Sequence, residues 1–84
     1  MKMINLGGLY YTDFEKIIAI LPFKARMAKN KVKKARAADT LIDCTGNRST
    51  LSVLLMKDGI VLLTPISPKT LVKRVNEDAS LVEE

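Results

Sequence analysis

The sequence predicts one α+β domain: an antiparallel sheet of short strands, a basic helix inserted in the middle, and a short C-terminal helix. Three observations predict it. The 84 residues are 48% hydrophobic and 27% charged, a globular balance in a chain with room for one domain. Short β-prone runs are punctuated by Gly-Gly, Pro and Asp-Gly. Between them, residues 24–38 switch to Ala, Met, Lys and Arg with apolar residues at helical spacing.

Residues 3–6 form a short apolar strand. Gly7-Gly8 suits a tight hairpin turn, which needs positive φ, and Leu9–Thr12 is the β-prone return strand. Residues 16–21 form a third strand, ended by Pro22. In the helix over 24–38, Ala25, Ala28, Val32 and Ala35 share one face, with Met27 and Ala38 at its edge. These small seam residues allow close approach to a neighbour, and Lys31 runs its stem along the seam. Residues 41–45 read as a strand followed by the polar loop Gly46–Thr50. The aliphatic runs 51–56 and 60–64 are joined by Lys57-Asp58-Gly59, a strong hairpin signal. Ser67 caps the last helix and Pro68 opens it. Leu71, Val72 and Val75 form its apolar side, and Lys73 and Arg74 face solvent.

Residues 1–76 make the single domain, and 77–84 an acidic tail expected to be unordered. The two aliphatic runs resemble strands covered on both faces. Helices of about 15 and about eight residues cover little more than one face of a five- or six-stranded sheet. The other face must fold onto itself or meet another chain, so a homo-oligomer is expected.

Composition excludes several functions. The chain has no histidine, so no His-based triad and no imidazole metal ligand. A single cysteine, Cys44, forms no internal disulfide. The N-terminus lacks the apolar run of a signal peptide, and no stretch reaches the roughly 18 apolar residues of a membrane span. A cytoplasmic protein without metal, cofactor, membrane or enzymatic activity is expected. The net charge of +5 is unevenly distributed. Residues 1–76 hold all 14 basic residues and five acids, a net +9 that attracts polyanions.

Four features can carry chemistry. Lys24, Arg26, Lys29, Lys31, Lys33, Lys34 and Arg36 crowd the helix with no acid between Glu15 and Asp39. They read as phosphate contacts, as the source of a long-range field, or as a solvated face. Gly46-Asn47-Arg48-Ser49-Thr50 reads as a polar hairpin tip or as an anion site, with Arg48 offering a planar fork. Asp43 binds nearby backbone or a cation, and Cys44 behaves as a small buried apolar residue. Tyr10 and Tyr11 with Phe14 pack in a core or interface, or stack on bases.

In order and spacing the chain resembles the RemA-like family, small DNA-binding bacterial regulators of extracellular-matrix (biofilm) genes. The resemblance covers roughly residues 3–75. It is carried by Ile4-Asn5-Leu6-Gly7, Ile18-Ala19-Ile20, Ala35-Arg36, Leu41-Ile42-Asp43 with Thr45, Arg48 and Thr50, and then Pro68, Thr70 and Arg74. It implies transcription regulation without catalysis, a fold like LytTR-type DNA-binding domains, and ring-shaped homo-oligomers. It also implies DNA contacts from an arginine opening the third strand and from an arginine pair in the following loop. The first position is Lys16 here, which keeps the charge but loses the fork. The pair is Arg48 and Ser49, and a further basic position is Leu51. The expected contacts with double-stranded DNA are therefore Lys16 and Arg48, with Asn47, Ser49 and Thr50 secondary. Lys24, Arg26, Lys29, Lys33, Lys34 and Arg36 add electrostatic contacts. Competing expectations are an RNA-binding module and an assembly protein with an acidic protein partner.

Overall fold

The computed structural model describes residues 2–82, with side chains described as far as Asn76. The elements are β1 (Met3–Gly7), β2 (Tyr10–Asp13), a 3-10 turn (Phe14–Lys16), β3 (Ile17–Pro22), α1 (Arg26–Ala38), β4 (Leu41–Asp43), β5 (Ser52–Met56), β6 (Val61–Thr64) and α2 (Pro68–Val82). β1 and β2 pair as an antiparallel hairpin, and the others form a four-stranded sheet in the order β3-β5-β6-β4.

The fold is α+β as expected, but the strands do not form one antiparallel sheet. β4 runs parallel to β6, while β3, β5 and β6 are antiparallel neighbours. The cause is α1. It carries the chain from one sheet edge to the other, so β4 re-enters in the same direction as β3, as a helical crossover does. β6 then inserts between β5 and β4. This explains its uninterrupted aliphatic run: all four of its residues are buried, whichever face they point to.

Each face of the sheet has its own core. On one, Ala28, Val32 and Ala35 of α1 pack on Val53, Val61 and Leu63. On the other, Ile4 and Leu6 of the hairpin and Leu71 of α2 pack on Leu54, Met56 and Leu62, with Cys44 among them. One chain therefore covers both faces, because the hairpin folds back over the sheet as a layer of its own. Neither face of the sheet is left wholly bare for another chain to cover. What stays open is one corner of the hairpin face, where Ile42 of β4 is 46% exposed.

Several boundaries differ from expectation. α1 begins at Arg26, not residue 24, because Ala25 N–H turns back to the Pro22 carbonyl and Ala25 is the extended N-cap. β3 begins at Ile17, Lys16 ending the 3-10 turn, and includes Pro22. β4 stops at Asp43, whose carboxylate bends the backbone by accepting the Thr45 N–H. α2 has the expected capping, Ser67 Oγ accepting the Thr70 N–H, but runs for 15 residues. Leu71 is buried and Val75 partly buried, whereas Val72 is exposed rather than on the apolar side. The expected acidic tail, 77–84, overlaps the end of α2, and its side chains and residues 83–84 lie outside the described residues.

Candidate nucleic-acid interface

The segment between β4 and β5 is not a hairpin tip. The two strands are not hydrogen-bonded neighbours, since β6 lies between them. The segment crosses the end of the sheet and contains a tight turn of its own. Gly46 and Asn47 have φ of 57° and 74°, and the Arg48 N–H donates to the Thr45 carbonyl at 3.2 Å. Two successive positive φ values define a primed turn, which Gly and Asn tolerate best. The turn is braced below by Asp43. One carboxylate oxygen, Oδ1, accepts the Thr45 N–H at 2.8 Å and the Thr45 hydroxyl at 2.6 Å. These bonds, the hydroxyl first, hold the Asp43 pKa below its ordinary value. Asp43 is therefore a structural anion. Cys44 is buried, and burial followed by the Asp43 charge pushes its thiol pKa up, so it is a neutral packing residue.

The turn aims Arg48 toward the β1–β2 hairpin. The guanidinium lies so close over Gly7 that a Cβ there would sit 3.0 Å from Nη2 and 3.2 Å from Pro65 Cγ. Gly7 has φ of 108°, a conformation that favours glycine, and any side chain there would also press on the Arg48 guanidinium and Pro65. Beneath this contact, Asn5 organises the hairpin turn. Its Nδ2 donates to the Gly8 and Tyr10 carbonyls, and its Oδ1 accepts the Gly7 N–H. Arg74 Nη1 then donates to the Asn5 carbonyl and Oδ1, both at 3.1 Å. Arg74 is thus partly buried rather than solvent-facing, and it ties α2 to the hairpin. Sequence reasoning missed this latch; the only hint was that both residues belong to the family-like pattern.

On the other side of the crossover segment lies α1. Lys29, Lys33 and Arg36 sit four and three residues apart, on one side of the helix. With Asp43, Thr50 and Phe23 they line an open groove of about 680 Å³. Three cations thus face one carboxylate already engaged by Thr45. Lys31 and Lys34 border the opposite flank of α1, beside Thr40 and Gly59. Lys24, before α1, and Arg26, its first residue, are exposed and line neither groove.

The expected site residues therefore divide. Asn47, Arg48 and Ser49 are exposed and Thr50 partly buried on the crossover segment, next to the Lys29–Lys33–Arg36 groove. Lys16 is elsewhere. Its carbonyl accepts the Lys57 N–H just past the far end of β5. About 17 Å of strand separates it from the crossover end, so Lys16 and Arg48 of one chain do not meet. Lys16 instead borders a second groove, with Tyr10 and Tyr11. Both tyrosines are exposed rather than packed in the core.

Among the described residues no group of three or more acidic or sulfur side chains could hold a metal ion. Among the same residues no helix is long and apolar enough to cross a membrane. The fold and its surfaces define a small α+β protein with a cationic sheet end built on a crossover turn. The chain belongs to the RemA-like family, whose model, described as extracellular matrix regulatory protein A-like, matches residues 3–75. It is 37% identical over all 84 residues to proteins of Bacillus cytotoxicus and Bacillus mycoides, covering 97% of each. A Bacillus cereus protein matches equally, and all three carry the name "Putative regulatory protein".

Proposed function

We propose that this protein is a DNA-binding transcriptional regulator that acts as a homo-oligomer, ring-shaped as the family resemblance implies. Each subunit would grip duplex DNA at the crossover end of its sheet. The observation that carries the reading is the Lys29–Lys33–Arg36 groove beside Thr50, whose single acid, Asp43, Thr45 already binds; Arg48 adds a cation on the other side of the same crossover segment. A cationic groove of this kind suits a phosphodiester backbone. Arg48 brings a bidentate fork, and Asn47, Ser49 and Thr50 bring neutral polar groups beside it. The regulatory name of the relatives supports the reading.

Repetition around an assembly would let a few contacts per subunit suffice. Lys16 would contribute from the far end of the sheet, meeting a different stretch of backbone from Arg48.

The test is the salt dependence of binding. The constant for a DNA duplex should fall steeply with salt, and Arg48→Ala should reduce the log–log slope by about 0.9 for each phosphate that Arg48 neutralises. Binding that is insensitive to both would overturn the reading. Preference for structured RNA over duplex DNA of equal length would move the protein to RNA binding.

A further inference from the structure

We infer that Leu9, at the tip of the β1–β2 hairpin, is an apolar wedge that enters the minor groove of duplex DNA and parts a base step, with Arg48 on a phosphate beside it. This rests on the DNA-binding part of the proposed function and adds an uncharged contact to it.

The hairpin tip lies at the crossover end of the sheet. Thr64, the last residue of β6, donates its hydroxyl to the Leu6 carbonyl at 2.6 Å, which pins the end of β1 there. Gly7 follows, under the Arg48 guanidinium. Gly8 and Leu9 then make a two-residue tip between the paired Gly7 and Tyr10. Leu9 is two Cα steps from Gly7, at most about 7.6 Å. Leu9 and the Arg48 guanidinium therefore belong to one small patch.

Leu9 is 93% exposed, more than any other large apolar residue described. A singly exposed leucine is ordinary on a mobile loop. This one is held in place. Asn5 Nδ2 donates to the carbonyls on either side of it, those of Gly8 and Tyr10. Asn5 is fixed in turn by Arg74 of α2. Holding the tip before DNA arrives removes an ordering cost from binding.

The shape of the tip selects the groove. Gly8 adds no side chain, so the tip is narrow. It suits the minor groove, about 6 Å wide, and would leave the major groove, about 12 Å wide, largely unfilled. Leucine offers base edges no hydrogen bond, but it is among the side chains that insert between base steps from the minor groove. Parting a step costs energy, and backbone contacts must offset it. Arg48 supplies one beside the tip. The Lys29–Lys33–Arg36 groove supplies others across the crossover segment.

The test uses the full chain and one DNA duplex with 2-aminopurine in place of each adenine in turn. The fluorescence of this base rises when it unstacks. Wild type should raise it at discrete steps. Leu9→Ala should abolish the rise, and Leu9→Phe, another side chain able to wedge, should keep it. Leu9 is neutral and releases no counterions, so Leu9→Ala should leave the log–log salt slope at the wild-type value, unlike Arg48→Ala. Thermal melts of both Leu9 variants should match wild type, since the side chain is exposed. Salt-dependent binding by wild type without unstacking at any position overturns the wedge and leaves DNA recognition standing. So does unstacking that survives Leu9→Ala, or a native mass that Leu9→Ala changes, which would give Leu9 to a contact between protein copies. Loss of salt-dependent duplex binding in wild type itself overturns the wedge together with the DNA-binding reading.

Discussion

The two faces of the four-stranded sheet are covered by unlike means. On the helix face, Ala28, Val32 and Ala35 are small, so α1 lies close to the sheet and closes it. Its flanks then come level with the crossover segment, which is how Lys29, Lys33 and Arg36 reach the groove beside Thr50. On the hairpin face the cover is made of larger residues, Ile4, Leu6 and Leu71, interlocked with Leu54 and Leu62. A two-stranded hairpin and one helix leave the β4 edge bare, and Ile42 is left open. The closed face delivers charge and the incompletely closed face an apolar opening. A domain this small can thereby keep a cationic surface and an apolar surface apart.

The comparison can be broken first at β5. Val53 and Leu54 are adjacent, both fully buried, and point to opposite faces. Leu54→Ala should cost about 2–5 kcal/mol, because the interlocked hairpin face collapses poorly around a cavity. Val53→Ala removes less surface, from a side chain whose full burial is worth about 1.5–3 kcal/mol. Urea unfolding should rank them in that order. The reverse order would mean that the helix face holds the domain together.

A smaller effect sharpens the account of the crossover turn. The Asp43 pKa is lowered on folding by the Thr45 hydroxyl and N–H. A lowered carboxyl pKa stabilises the fold fully above the unfolded value, near 3.8, and that contribution is lost as pH falls through the folded value. Asp43→Asn should therefore be less stable than wild type at neutral pH, and the difference should close on acidification below about pH 3.8. The carboxylate is exposed, so screening keeps the effect small. A gap independent of pH would show that the charge is not what braces the turn.

Much of this architecture is legible from residue spacing. The seam Ala28-Val32-Ala35 announces itself by its period, and the Lys57-Asp58-Gly59 turn by its composition. Ser67 and Pro68 mark the start of α2 because capping is local chemistry. What spacing cannot show is where an element goes after it forms. β4 is parallel to β6 because α1 crosses the sheet, and no residue of β4 encodes that direction. For the same reason Gly46-Asn47 reads as a hairpin tip although it is a turn within a crossover. The site suffers most. Seven basic residues on one helix look equivalent until the fold shows that Lys29, Lys33 and Arg36 face the crossover segment while Lys31 and Lys34 face away. Arg74 looks free for solvent until its partner, Asn5, is brought to it across the whole length of the chain.

The central claim is that the groove on the closed face, and not the overall charge, holds DNA. It is tested most directly by measuring the salt dependence of duplex binding in two variants with equal charge removed. One replaces Lys29, Lys33 and Arg36 with Ala. The other replaces Lys34, Lys57 and Lys73, which lie outside the groove. The first should reduce the log–log slope by up to about 2.7, at about 0.9 per phosphate neutralised. The second should leave the slope close to that of wild type. Equal reductions in the two variants would contradict the account, since charge alone would then suffice.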